Sequence, residues 1–182
     1  ERLPAGEAEV AAKAGEMGAL LEQTVSSTRR IAADLRPLML DDLGLADAAG
    51  WLVHDFSKRT GVRCEIQLSG DGGFAGIDGK VATAVYRALQ ESLTNIARHS
   101  GARNAWVALA MENGNLHFEV EDDGRGISPE DLSKPRSLGL KGMRERVAYF
   151  GGAFEVARSP RGGTRVRAQV PVRGAAREAD AA

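Results

Sequence analysis

Cysteine is almost absent from this sequence: Cys64 is the only one in 182 residues. No internal disulfide can form, which excludes the small disulfide-stapled secreted scaffolds. No run of about 18 apolar residues occurs, so no segment reads as a transmembrane helix, and none has the pattern of a secretory signal peptide. Net charge is nearly absent too. With 24 basic and 25 acidic side chains the chain carries −1, so no global field draws it toward nucleic acid or an anionic membrane. Neither a nucleic-acid partner nor membrane contact by this chain is expected. The local basic cluster Arg161, Arg165 and Arg167 reads as a solvated strand face. Internal repeats are missing as well. The first residue is Glu rather than Met, so a piece of a longer protein is expected. Its expected place is the cytoplasm, with any membrane anchor upstream. What is present is the composition of a globular domain, 43% hydrophobic and 27% charged, enough to bury a core.

The chain opens on a helical pattern. Val10, Ala14, Met17, Leu21, Thr24, Thr28, Ile31 and Leu35 alternate spacings of four and three, a heptad seam. Pro37 ends it by removing a donor and restricting Arg36. A lone amphipathic helix leaves such a seam uncovered, so a partner helix in a multi-chain bundle is expected. After a DDLGLAD hinge, residues 46–59 read as a second helix closed by Gly61. RCEIQLSG alternates as a strand, and Asp78 caps a long helix running to about His99, stopped by Gly101. NAWVALAM and NLHFEVED are two strands around the hairpin signal Asn113-Gly114. A loop without periodicity follows, then a helix at 139–150 and a hairpin made by GGAFEVARSPRGGTRVRAQVPV. The expected fold is an α/β two-layer sandwich of about five strands in a mixed sheet and three helices, behind one helical arm. Its parts are residues 1–40, residues 41–172 and a frayed tail, 173–182.

Four stretches carry chemistry. On the long helix Glu91, Asn95 and Arg98 are spaced four and three apart and share a face beside the apolar stripe of Val85, Leu89, Ser92 and Ile96. VEDDGRGI runs a strand into Asp122-Asp123-Gly124-Arg125-Gly126, where glycines permit close backbone approach and a carboxylate can accept a bond from an amino group. SLGLKGMRERV opens a helix with Gly139 and Gly142, a natural place for an anion. RGGTRVRAQVP turns through Gly-Gly-Thr into a strand. Two looser patterns fail on context. GDGGFAG at 70–76 has no helix opening behind it, and EVEDDGRGISPE lacks the first Asp and the preceding helix of a calcium loop. Trp51 and Trp106 read as packing residues.

Taken in this order and at these intervals, the four stretches resemble the N, G1, G2 and G3 boxes of the ATP-binding domain shared by histidine kinases, gyrase, heat-shock chaperone ATPases and mismatch-repair ATPases. ESLTNIARH, DDGRGI and GLKGMRERV are most similar to bacterial two-component sensor histidine kinases of the nitrate-sensor-like group. RRIAADLRPLMLDDLGLADA resembles that group's second dimerisation helix and its hinge. The resemblance covers about residues 8–172 and implies the Bergerat-type ATP-binding fold.

It also implies roles. Asn95 would coordinate Mg²⁺ bridging the triphosphate, with Glu91 beside it as base or orienting carboxylate; these two are the catalytic pair. Arg98 would contact phosphate, with His99 next to it. Asp122 would accept from the adenine amino group, and Gly124 and Gly126 would leave room for the nucleotide. Gly139, Leu140, Lys141 and Gly142 would close over the phosphates, Lys141 touching them, and Thr164 would support Asp122 through water. Residues 127–138 would be a short ATP lid without an aromatic anchor. The implied cofactors are ATP and Mg²⁺. The implied partners are a second copy of the chain, through the N-terminal helix, and a response regulator whose aspartate receives the phosphoryl group. No phosphoacceptor histidine is expected in this chain: His117 falls on a strand, His99 on the nucleotide edge, and His54-Asp55 lies after the hinge without the later amide. This chain is therefore expected to bind ATP without phosphorylating itself. The alternatives are an anti-sigma-type serine kinase, against which the heptad helix speaks, and a non-catalytic ATP-binding dimerisation module.

Overall fold

The structure, a computed structural model, describes Val10, Lys13, Met17 and residues 38–70, 73–128 and 138–172. The chain separates into two compact units, Glu1–Met39 and Leu40–Ala182. In the first, Val10, Lys13 and Met17 are helical. The rest of the heptad seam, Pro37, most of the expected lid and the C-terminal tail lie outside the described residues.

Helix α1 spans Leu38–Thr60 and breaks at Gly44, whose φ of 77° no helix contains. The DDLGLAD stretch is thus a kink between two helical pieces. The helix therefore begins eight residues before the expected 46, because the segment ahead of the glycine is helical too. Gly61, at φ 74°, receives the chain at the C-terminus and donates to Ser57 O at 3.0 Å, the left-handed cap that glycine takes at little cost. Strand β1 (Arg63–Gly70) follows. Asp78 caps helix α2 (Gly79–Asn95) by accepting from Lys80 N and Val81 N at 2.8 and 3.3 Å. A π-turn, Ile96–Ser100, continues α2 and stops at Gly101, φ 65°. Strands β2 (Asn104–Glu112) and β3 (Asn115–Asp122) meet at Asn113 and Gly114, both with positive φ, as a tight hairpin between right-twisted strands requires. Helix α3 (Leu138–Tyr149) and strands β4 (Ala153–Arg158) and β5 (Thr164–Pro171) complete the fold.

The five strands lie in the order β1-β2-β3-β5-β4, parallel between β1 and β2 and antiparallel elsewhere. Strand alternation sorts the two faces. Val107, Val120 and Val166 align across three strands, as do Leu109, Phe118 and Ala168, and all six are buried. With Leu89, Val85, Met143 and Val147 from α2 and α3 they form the core. The fold is therefore the expected two-layer sandwich, with a five-stranded mixed sheet and three helices among the described residues.

The other face of the sheet carries Trp106, Glu119, Glu121, Arg165 and Arg167. The basic cluster expected to be merely solvated is paired there. Arg161 reaches Glu121 at 3.2 Å, Arg165 lies 4.0 Å from the same carboxylate, and Arg167 bonds to Glu119. Arg161 also stacks 4.1 Å above the ring of the half-buried Trp106. Cys64 is partly buried, and desolvation, with Glu65 adding to it, pushes its thiol up to about 11. It stays protonated and inert at neutral pH.

Candidate nucleotide-binding site

Helix α2 presents a polar edge because its apolar stripe is committed to the core. Leu89, Ser92, Leu93 and Ile96 are buried, while Glu91 and Asn95, one turn apart, are half-exposed beside them. Strand β3 delivers Asp122 on the inner, helix-facing side, opposite Ala105. Strand β5 runs antiparallel to β3, which sets the Gly162-Gly163-Thr164 turn beside Asp122. Helix α3 starts against Glu91: a Cβ on Gly139 would collide with the Glu91 carboxylate. These four segments enclose a cleft of about 250 Å³.

Eight of the expected site residues line it: Glu91, Asn95, His99, Asp122, Gly126, Gly139, Leu140 and Thr164. Gly124 stands just behind Asp122. Arg98, Lys141 and Gly142 are not among the lining residues, and Arg98 and Lys141 are exposed. The displacement of Arg98 has a physical cause. A π-turn holds more residues per turn than an α-turn, so a step of four, not three, returns to the same azimuth. From Asn95 that step reaches His99.

The cleft also takes in residues the sequence patterns do not single out. Val120 and Val166 line it two positions from Asp122 and Thr164, so strand alternation alone places them on the right side. Ser100, Arg125 and Ile127 line it as well.

Asp122 is 2% exposed. Its Oδ1 accepts from Gly124 N at 2.8 Å and its Oδ2 from Thr164 N at 3.2 Å. Thr164 thus supports Asp122 directly through its backbone N–H. Burial pushes the Asp122 carboxyl above its ordinary range, and the two backbone donors only partly offset it. Three glycines make this packing possible. A Cβ on Gly124 would strike Ser100 O and, at 2.8 Å, Asp122 Oδ1. One on Gly163 would strike the Asp122 carboxylate and carbonyl, and one on Gly126 would lie 3.1 Å from Gly163 O.

Asp123 points the other way. Its carboxylate accepts from Arg103 N at 2.8 Å, Asn104 N at 2.9 Å and Asn104 Nδ2 at 2.6 Å. The Asn104 backbone donor, then its side chain, holds Asp123 below the ordinary carboxylate range. A depressed folded value means a stabilising contribution that is present above the ordinary range and lost as pH falls through the folded value. Between about pH 5 and pH 2 the parent should therefore lose stability faster than Asp123→Asn. Urea unfolding at stepped pH reads this difference; parallel curves would refute it. Asp122 shifts in the opposite sense in both chains, chiefly through burial, and Asp123→Asn removes only the last and smallest cause of that shift, the neighbouring charge.

Among the described residues no group of three or more His, Cys, Asp or Glu could hold a metal ion by itself. Glu91 and Asn95 instead offer oxygen ligands one turn apart, a set that fits a hard cation whose remaining ligands are phosphates and water.

Residues 80–174 match the family described as histidine kinase-, DNA gyrase B-, and HSP90-like ATPase. The chain belongs to this ATPase family. Among curated relatives, the sensor histidine kinase MctS of Rhizobium johnstonii is 37% identical over 154 residues, covering 83% of this chain and 32% of that protein. The oxygen sensor histidine kinase NreB of Staphylococcus carnosus is 30% identical over 155 residues, 84% of this chain and 44% of that one. The chain thus spans less than half the length of either. Among solved structures, the histidine kinase domain of the Erythrobacter litoralis EL346 blue-light activated kinase superposes with a TM-score of 0.60 at 26% identity. It covers 80% of this chain and 74% of that one. The ATPase fold and the kinship with sensor histidine kinases implied by the four sequence boxes are what these relatives share. No described helix is long and apolar enough to cross a membrane.

Proposed function

We propose that this chain is the ATP-binding catalytic core of a sensor histidine kinase, which passes the γ-phosphoryl group of ATP to a histidine outside this chain and onward to a response-regulator aspartate. The observation that carries this reading is the buried Asp122 carboxylate. It is fixed by Gly124 N and Thr164 N inside a cleft whose helical wall holds Glu91 and Asn95. A carboxylate so placed reads an exocyclic amino group. Glu91 and Asn95 supply oxygen ligands where a triphosphate and its cation would sit.

Bound Mg²⁺ would neutralise phosphate charge. The chain's own part is to orient. Asp122 sets the base, the half-exposed Glu91 faces the attacking group, and the start of α3 closes against Glu91. The chain is expected to need a second chain carrying the acceptor helix, and pairing through the heptad helix of residues 1–40 would supply it. The names of the relatives favour histidine over serine as acceptor. A non-catalytic module would bind nucleotide without transfer.

Calorimetry on this chain tests the first half of the proposal. Mg-ATP should bind, and Asn95→Ala should cut affinity about tenfold in Mg²⁺ while leaving binding in EDTA close to the parent's. A folded parent that binds no adenine nucleotide sinks the reading. Acid-labile label appearing on an added acceptor helix tests the second half, and its absence while nucleotide binds leaves the module as the function.

A further inference from the structure

Ser100 lines the cleft but has little to offer a ligand. It is 8% exposed. Its hydroxyl donates to Ile96 O at 2.8 Å and accepts from Ala102 N at 2.9 Å, so its single proton is spent. Its carbonyl accepts from Arg125 N at 3.0 Å and stands where a Cβ on Gly124 would be. One residue thereby closes the π-turn, starts the path into β2 and ties both to the loop that follows Asp122.

We infer that Ser100 is a positioning residue for nucleotide recognition. Its hydroxyl ties the turn that carries His99 to the chain that leaves it, and its carbonyl fixes that turn against the loop presenting Asp122. The inference rests on the nucleotide reading above and adds a residue to it.

The turn closes on Gly101, whose left-handed φ of 65° ends the helix. Residues 79–95 are regular α-helix, and the helix changes only across the five residues that end at Ser100. A π-turn costs backbone hydrogen-bond quality and is kept where it places a side chain. The pair of hydroxyl bonds, back to Ile96 O and on to Ala102 N across Gly101, repeats what Thr60 does across Gly61 at the end of α1 and fastens the last turn to the chain beyond it. Without these bonds the last turn is held less firmly, which loosens His99 beside Asn95 and the Ser100 carbonyl against Arg125.

Ser100→Ala and Ser100→Cys remove or weaken the hydroxyl bonds at nearly constant volume, and Ser100→Thr keeps them. Calorimetry with Mg-ATP, at a temperature where circular dichroism shows each variant folded, should give about three- to tenfold weaker binding for Ala and Cys. Thr should return to within about twofold of the parent. Amide exchange at Arg125 should quicken in Ala and Cys but not in Thr, a readout that a loss of overall stability alone does not confine to one amide. Ala and Cys variants that melt earlier yet bind like the parent overturn the inference and leave the proposed function standing. A parent that binds no adenine nucleotide overturns both.

Discussion

Asp122→Asn is expected to leave the domain folded and to weaken Mg-ATP binding roughly a hundredfold. The carboxylate now accepts one backbone bond on each oxygen, from Gly124 N at 2.8 Å and Thr164 N at 3.2 Å. An amide keeps one acceptor. Its nitrogen must face either one of these donors or the ligand's amino group, and each choice sets donor against donor. The stability effect is small because two changes oppose each other. A buried donor loses its partner, costing about 1–3 kcal/mol. A buried charge that desolvation already disfavours disappears, which returns part of that. Binding has no such compensation, since the lost interaction is a charge-assisted hydrogen bond to a buried carboxylate. Calorimetry beside a thermal melt separates the two. Parent-like affinity in a folded Asp122→Asn chain would remove Asp122 from the site.

Much of this is legible in the sequence alone, and the reasons are local. Asp78 caps its helix because a side chain two and three residues ahead of the Lys80 and Val81 N–H groups can reach them. Asn113-Gly114 turns because both residues tolerate positive φ. Glu91 and Asn95 stand out because polar residues occupy places that periodicity assigns to a half-buried edge, and Asp122 because glycines follow it where a strand ends. What is not legible depends on pairing between distant segments. The spacing Glu91, Asn95, Arg98 is as good for an α-helix as Glu91, Asn95, His99 is for one ending in a π-turn. That turn meets the loop after Asp122 through Ser100 O and Arg125 N, 25 positions apart. The reach of Thr164 N to Asp122 likewise waits on β5 lying beside β3 rather than beside β1. The ion pairs of Arg161, Arg165 and Arg167 need the same register, in which Glu121 faces Arg165 and Glu119 faces Arg167.

Gly163→Ala follows from that register, and no other added methyl group in the cleft is expected to do more damage. Gly163 is buried against Asp122, and the added Cβ would overlap the carboxylate, the carbonyl oxygen and, at 2.6 Å, the carbonyl carbon. Backbone cannot rotate out of the way as a side chain can. Either β3 or the turn before β5 must move, and the bond from Thr164 N to Asp122 goes with it. A cost of about 2–4 kcal/mol is expected, from overpacking plus a stranded donor, together with loss of measurable Mg-ATP binding.

Two other glycines separate causes. Gly162 has φ 107° and no atom within 4 Å of its Cβ position. Gly162→Ala should therefore lose about 1–3 kcal/mol through backbone strain alone and still bind nucleotide below its melting temperature. At Gly139 the obstacle is the end of the flexible Glu91 side chain, so Gly139→Ala should remain stable and disturb Glu91. Urea unfolding and calorimetry on the three variants give the pattern. If Gly163→Ala binds Mg-ATP as well as Gly162→Ala does, the packing of that turn against Asp122 does not hold the site, and the geometry argued for Thr164 fails with it.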